Sequence, residues 1–136
     1  HPILGPRALK RNHIFAARDL IDEVMDHMRC VRTRDFKYIR NYTPENGYHE
    51  CKYVQNNRPM LPVIRDLHAQ GKLNETQALL LAQVKPQEEL YDLQADPHEV
   101  NILAASGEHR DTLDTLRGLL DEWIADTQDQ GLIRKD

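Results

Sequence analysis

The sequence predicts an α+β fold: a small antiparallel sheet of about four strands packed against a long C-terminal helix, with extra short helices. Two observations predict the sheet, namely a pair of β-rich runs separated by two residues and a later short run that a proline ends. An apolar stripe with helical spacing near the C-terminus predicts the helix. With 136 residues, of which 40% are hydrophobic, the chain is expected to form a single domain, residues 1–136.

The clearest strand signal is a β-hairpin. Residues 28–33 and 36–42 are both rich in β-branched or aromatic residues, and only Arg34-Asp35 lies between them. A two-residue connection is typical of antiparallel neighbours, so these two strands are expected to pair.

An earlier strand is predicted over residues 13–18, a short apolar run that ends in Arg18 and is followed by Asp19. Residues 20–26 are compatible with one helical turn or a loop. Residues 1–12 mix proline, glycine and basic side chains, which is typical of a linker.

The middle of the chain is expected to be a loop followed by short helices. Residues 43–58 have the composition of an irregular loop, and residues 59–85 show helical spacing. The helix signals are Pro62 at a first helical position, Gly71 as a left-handed cap, the Asn74 to Gln77 capping box and the closing Pro86.

The last part of the chain combines a strand, a turn and the long helix. Within residues 86–105, a strand is predicted at 88–93, and Asp96-Pro97 imposes a turn because proline restricts both itself and its predecessor. Residues 106–130 are expected to be helical. The apolar stripe of that helix consists of Leu113, Leu116, Leu119, Leu120, Trp123 and Ile124.

Charge is unevenly distributed along the chain. The formal net charge is −4, yet residues 1–42 hold nine Lys/Arg against five Asp/Glu. Residues 86–136 hold four Lys/Arg against thirteen Asp/Glu. This asymmetry indicates that the basic first part faces an anionic ligand, while the acidic last part is a solvated face.

Five basic side chains concentrate on the hairpin: Arg29, Arg32, Arg34, Lys37 and Arg40. With interleaved tyrosines they could recognise phosphates or bases, although the acidic C-terminal helix would repel a nucleic-acid backbone. The favoured interpretation is ordinary sheet charges that pair with Glu88-Glu89. A third is an arginine-lined wall for a sulfated or carboxylated ligand.

The sequence contains no local motif for metal binding or catalysis. Its seven histidines and two cysteines have no metal-site spacing, and its six glycines form no phosphate loop. Cys30 and Cys51 form either a disulfide or, as we favour, two free thiols. A self-contained active site is therefore not expected.

Two further observations concern the context of the chain. No apolar run approaches the roughly 20 residues that span a bilayer, so no membrane partner is expected. The first residue is not an initiator Met, and no signal-peptide architecture follows it. We therefore expect the chain to begin within a longer protein.

Four segments, in order, resemble the C-terminal part of the type I, formylglycine-dependent sulfatases. Residues 14–19, I-F-A-A-R-D, are similar to the family's apolar strand that ends in Arg-Asp. Residues 29–42 resemble its R-x-V-R-T-x-x-Y-K-Y-I-x-N hairpin, and residues 89–99 its E-L-Y-D-L-x-x-D-P-x-E signature. The closing helix with Leu116, Leu120 and Trp123 completes the order. The bacterial heparan- and N-sulfoglucosamine-sulfohydrolase-like branch is the one that the sequence resembles in particular.

This resemblance implies a fragment equivalent to the C-terminal subdomain of a sulfuric ester or sulfamate hydrolase. In such enzymes the formylglycine, made from Cys or Ser in a C/S-x-P/A-x-R motif, and a calcium ion lie in the large N-terminal domain. Neither Cys30 nor Cys51 fits that motif, so the catalytic residues and both cofactors are expected in the missing domain. The implied location is periplasmic or secreted.

The resemblance also implies a role and partners. The subdomain is expected to stabilise the N-terminal catalytic domain and to shape its substrate cleft, with Arg18 and Asp19 as candidates for contact with sulfated substrate. Their alternative role is a structural ion pair. A homo-oligomer is a further expected way to cover the exposed interface. The rival function is a stand-alone, non-enzymatic module that binds an anionic polysaccharide through the basic hairpin.

Overall fold

The computed structural model of the chain describes residues 11–48, 53 and 58–131. In these residues, four antiparallel strands form one sheet in the order β1-β2-β3-β4. The strands are β1 (His13–Ile21), β2 (Val24–Thr33), β3 (Phe36–Asn41) and β4 (Glu88–Asp92). The described residues include the α-helices α1 (Met60–Ala69), α2 (Glu75–Ala78) and α3 (Arg110–Thr127), with 3-10 turns at Leu79–Leu81 and Gly107–His109. The predicted α+β fold is confirmed.

One face of the sheet packs against α3 and forms the core. The strand register places four apolar side chains in one row across the sheet: Phe15, Val31, Tyr38 and Leu90. On the helix, Leu113, Leu116 and Leu120 are buried against this row. The stripe predicted from 3.6-residue spacing is therefore the buried face of α3.

The connection between β1 and β2 differs from the sequence prediction. Residues 20–26 are neither a helical turn nor a loop, because β1 continues to Ile21 and β2 begins at Val24. Only Asp22 and Glu23 lie between the strands, and Asp22 has a φ of 51°. Aspartate tolerates this left-handed conformation better than most residues, which allows the tight reversal.

The turn after β4 is built by aspartate side chains. Asp92 accepts hydrogen bonds from the backbone N–H groups of Gln94 and Ala95. The buried Asp96 accepts two more, from Val100 at 2.8 Å and Asn101 at 2.7 Å. The acidic stretch thus satisfies its own backbone donors and directs the chain towards α3.

The short helices follow most of their predicted signals. Helix α1 begins at Met60, two residues before Pro62, and Gly71 follows its end with a φ of 66°. The Asn74 to Gln77 capping box is formed at the start of α2. Most of the loop predicted at 43–58, including Cys51, lies outside the described residues.

Candidate functional site

The two candidate substrate residues lie near the end of β1 and make separate ion pairs. The Arg18 guanidinium is 2.5 Å from Asp26 Oδ2, and Arg29 Nη2 is 2.8 Å from Asp19 Oδ1. The β1–β2 register is irregular between Arg18 and Leu20, and the two side chains have different partners. They do not pair with each other; each is held by a residue of β2.

Arg18 belongs to a small polar cluster on the face of the sheet opposite α3. The buried carboxylate of Asp26 binds the Lys85 ammonium, whose side chain is fully buried, as well as the guanidinium of Arg18. Lys85 also donates its backbone N–H to Pro44 O at 2.7 Å. The cluster therefore joins β2 to the segment that leads into β4.

Arg29 is the centre of the cluster on the α3 face. Its side chain is 2% exposed, and it donates to both carboxylate oxygens of Asp129, just beyond α3. It also donates to the carbonyl oxygens of Arg18 at 3.1 Å and Met28 at 2.8 Å. One guanidinium thus links β1, β2 and the residues after α3, a geometry that its planar fork permits.

Asp19 is the less completely satisfied member of this cluster. Its Oδ1 is close to Arg29 but lies outside hydrogen-bond geometry, and it is one of two buried side-chain oxygens in the described residues without a hydrogen bond. His27 Nε2 is 3.8 Å from the same oxygen. Burial, with a contribution from Arg29, lowers the pKa of His27, whose ring stacks on Tyr42.

The basic hairpin is largely neutralised, but by acids other than those expected. Three of its side chains form the ion pairs Arg29 to Asp129, Lys37 to Glu99 and Arg40 to Asp121. Pairing with Glu88-Glu89 was the favoured expectation and is wrong. The carboxylate of Glu88 instead binds Arg117 of α3 and accepts a hydrogen bond from Tyr38, because both lie on the α3 face.

Glu89 points to the opposite face and is buried in a neutral polar environment. Its carboxylate accepts hydrogen bonds from Asn41 Nδ2 at 2.7 Å and from the Tyr91 hydroxyl at 2.5 Å. Asn41 also donates to Pro86 O at 2.7 Å. These contacts satisfy the buried carboxyl group and hold β3 and β4 together.

In the described residues, the buried polar side chains hold strands in place, and none of them is arranged as a nucleophile or a metal ligand set. Burial raises the pKa of the free Cys30 thiol, which makes it a poor nucleophile at neutral pH. No group of three or more metal-ligating side chains is assembled in residues 11–48, 53 and 58–131. Within the same part of the chain, no helix is long and apolar enough to cross a membrane.

Two ion pairs at the contact between the sheet and α3 predict a loss of stability in acid. Hydrogen bonds from Arg117, and then from Tyr38, lower the pKa of Glu88 from 4.5 to about 2. Arg29 lowers the pKa of Asp129 from 3.8 to about 2. Both folded pKa values lie below the unfolded ones, so the stabilisation is complete above about pH 4.5 and decreases as pH falls towards 2.

This loss can be measured by urea unfolding at a series of pH values. We expect each carboxylate to account for about 1 to 2 kcal/mol, after allowance for solvent screening. The pair Glu88→Gln with Asp129→Asn should flatten the pH dependence in this range. The matched pair Asp111→Asn with Glu122→Gln, on the exposed side of α3, should not. Equal flattening by both pairs would contradict the assignment.

The chain matches no family model, but it is similar to proteins of known class. Over 115 residues, or 85% of the chain, it is 43% identical to the ulvan-active sulfatase of Formosa agariphila. A putative sulfatase from Bacteroides thetaiotaomicron and a 2-O GAG sulfatase are similar in structure, each with a TM-score of 0.54. Each is 20% identical and aligns with 90% of this chain, a likeness that shows the fold alone.

The fold and the ion-paired sheet define a small α+β subdomain that packs one helix on one face of its sheet. The sequence identity identifies the chain as a homologue of the sulfatases. It spans 19% of the length of the ulvan-active sulfatase and 18% of each of the two structures. A match of this size fits the C-terminal subdomain that the sequence motifs implied.

Proposed function

We propose that the chain is the C-terminal subdomain of a sulfuric ester or sulfamate hydrolase, that it stabilises the catalytic domain and that it shapes the substrate cleft. The observation that carries the proposal is the 43% identity to one fifth of a sulfatase. The catalytic residues then lie in the remaining four fifths of such a protein. Residues 1–136 act as a single domain in this proposal.

An apolar cleft supports the docking of a larger partner. The cleft has a volume of about 380 Å³ and is lined by Tyr48, Leu79, Leu80, Tyr91 and Ile102, among others. All of these side chains except Tyr91 are exposed. Because soluble proteins seldom leave adjoining large apolar side chains uncovered, we assign this surface to the catalytic domain. A second copy of the chain is the competing occupant.

Calcium and formylglycine belong to the catalytic domain in this proposal. The described residues of the chain offer neither an assembled ligand set nor an activated thiol. Periplasmic or secreted location follows from the same proposal. The substrate class is a sulfated polysaccharide, in line with the ulvan and GAG named for the similar sulfatases.

Arg18 and Asp19 are proposed to contact substrate at the edge of the substrate cleft of the whole enzyme, which is distinct from the apolar cleft described above. Arg18 is the better placed, because its side chain is 42% exposed although it pairs with Asp26. Asp19 is held through Oδ1 by Arg29, and its side chain is 32% exposed. Such a contact would appear as a raised KM in Arg18→Gln, whereas a purely structural role would lower stability and leave KM unchanged.

The rival function, a stand-alone module that binds an anionic polysaccharide through the hairpin, has less support. Three of the five hairpin cations are already paired with carboxylates, so most of the positive charge is locally neutralised. A homologous sulfatase segment is also not expected for an independent module. Tight binding of heparin by the chain, together with a chimera that folds but lacks sulfatase activity, would favour the rival.

A chimera tests the proposal directly. In the ulvan-active sulfatase, we expect replacement of the matched segment by this chain to preserve folding and hydrolysis of an aryl sulfate. A Gly/Ser linker of the same length in that place should abolish both, because the apolar surface of the catalytic domain would stay uncovered. The isolated 136-residue chain should not hydrolyse the aryl sulfate.

Two results would contradict the proposal. One is an active enzyme with the Gly/Ser linker, which would make the segment dispensable. The other is hydrolysis by the isolated chain, which would place the chemistry within it. Arg18→Gln is best measured in the active chimera, where KM and stability can be compared in one protein.

A further inference from the structure

A second, basic cleft lies where β1 begins and β2 ends, at the corner of the sheet. It has a volume of about 260 Å³, and its charged or titratable lining residues are Arg11, His13, Arg32 and Arg34. The three arginines are exposed. Unlike the apolar cleft beside β4, this surface offers guanidinium groups to solvent.

The arginines of this cleft differ from the other basic residues of the sheet. Arg18, Arg29, Lys37 and Arg40 each pair with a carboxylate. Arg11, Arg32 and Arg34 form no ion pair with any described residue. The hairpin cations therefore divide into three that are paired, Arg29, Lys37 and Arg40, and two at this corner that are not, Arg32 and Arg34.

The described lining of this cleft contains no carboxylate. Asp35, in the β2–β3 turn, is not among the described lining residues. The described lining residues thus carry three arginines and no carboxylate, in a chain whose net charge is −4.

Three like charges around one cleft repel each other, and an oxyanion would relieve that repulsion. Guanidinium groups bind sulfate and carboxylate through paired, charge-assisted hydrogen bonds. The cleft is below the usual size of about 300–1,000 Å³ for a drug-sized ligand, which suits one charged group on a sugar rather than a whole oligosaccharide. Its open form lets a longer chain continue past it.

We propose that Arg11, Arg32 and Arg34 bind a sulfate or carboxylate group of an anionic saccharide, as a positioning subsite away from the reacting bond. This inference rests on the proposed sulfatase role for its biological meaning. The binding itself is a property of the 136-residue chain and does not require the catalytic domain.

The test is calorimetric titration of the chain with a sulfated heparin disaccharide and with its desulfated, N-acetylated counterpart, at low and high salt. The double variant Arg32→Gln with Arg34→Gln should weaken binding of the sulfated disaccharide by at least about tenfold, or about 1.4 kcal/mol. The matched control is Arg65→Gln with Lys72→Gln, which removes the same charge from exposed positions in and just after α1. It should leave the affinity nearly unchanged, and circular dichroism verifies folding of both variants.

Each other outcome overturns the assignment. Equal weakening by both double variants would indicate a response to net charge alone. Equal affinity for inorganic sulfate would indicate a free oxyanion site, and equal affinity for a single-stranded oligonucleotide of the same charge would indicate a polyanion site. If the chimera is active but the sulfated disaccharide does not bind, only the proposed oxyanion cleft is rejected. If the disaccharide binds but the chimera is inactive, only the proposed sulfatase role is rejected.

Discussion

Replacing Arg29 by methionine is expected to lower the free energy of unfolding by about 3 kcal/mol or more. Removal of one partner of a buried ion pair leaves the charge of the other, here Asp129, without compensation. Methionine retains the length of the side chain but none of its donors. Asp129 then loses both of its hydrogen bonds from Arg29, and two backbone carbonyls lose theirs. Urea unfolding at neutral pH measures the effect.

Arg32 provides the matched control for this experiment. It lies three residues further along β2, but it is exposed and has no ion pair in the described residues. Arg32→Met should therefore change stability by less than about 0.5 kcal/mol, as surface substitutions usually do. Similar losses for both variants would mean that the burial of Arg29 is not the cause.

A second variant separates the ion pair from the packing around it. If Arg29→Met destabilises because Asp129 is left charged, Asp129→Leu should restore part of the loss in the double variant. An apolar pair avoids the desolvation cost that an unpaired carboxylate incurs. Additive losses in the double variant would contradict this explanation.

Several elements could be predicted from the sequence because their signals are local. The β2–β3 hairpin needs only two strand-forming runs and the short Arg34-Asp35 connection. The stripe of α3 needs only the helical period. The β1–β2 hairpin was missed because Asp22-Glu23 lacks the glycine or asparagine that usually marks so short a turn.

The ion pairs could not be predicted, because they depend on register and on the placement of α3. Arg29 and Asp129 are 100 residues apart in the sequence, and no spacing rule relates them. Arg40 lies directly opposite Glu88 in the ladder, yet its guanidinium binds Asp121 of α3 instead. Only the packing of the helix over the sheet decides between these two acids. Lys85 carries no signal of burial, since lysine is rarely found inside.

The second large effect is expected at Tyr38, at the centre of the apolar row beneath α3. Its side chain is fully buried, between Val31 and Leu90 on the neighbouring strands. Tyr38→Ala should cost about 3–5 kcal/mol, because the lost ring leaves a cavity that a sheet closed by α3 cannot readily fill. Urea unfolding or thermal denaturation gives the measurement.

Tyr38→Phe divides this effect into ring and hydroxyl. The hydroxyl donates to Glu88 Oε1 at 2.5 Å and accepts from Arg40 Nε at 3.1 Å, and burial together with Glu88 raises the Tyr38 pKa to about 12. Its removal should cost about 1–3 kcal/mol, since Glu88 keeps Arg117 but loses one donor. The rest of the loss in Tyr38→Ala then belongs to the ring. A Phe variant as unstable as the Ala variant would instead place that share in the polar contact between the sheet and α3.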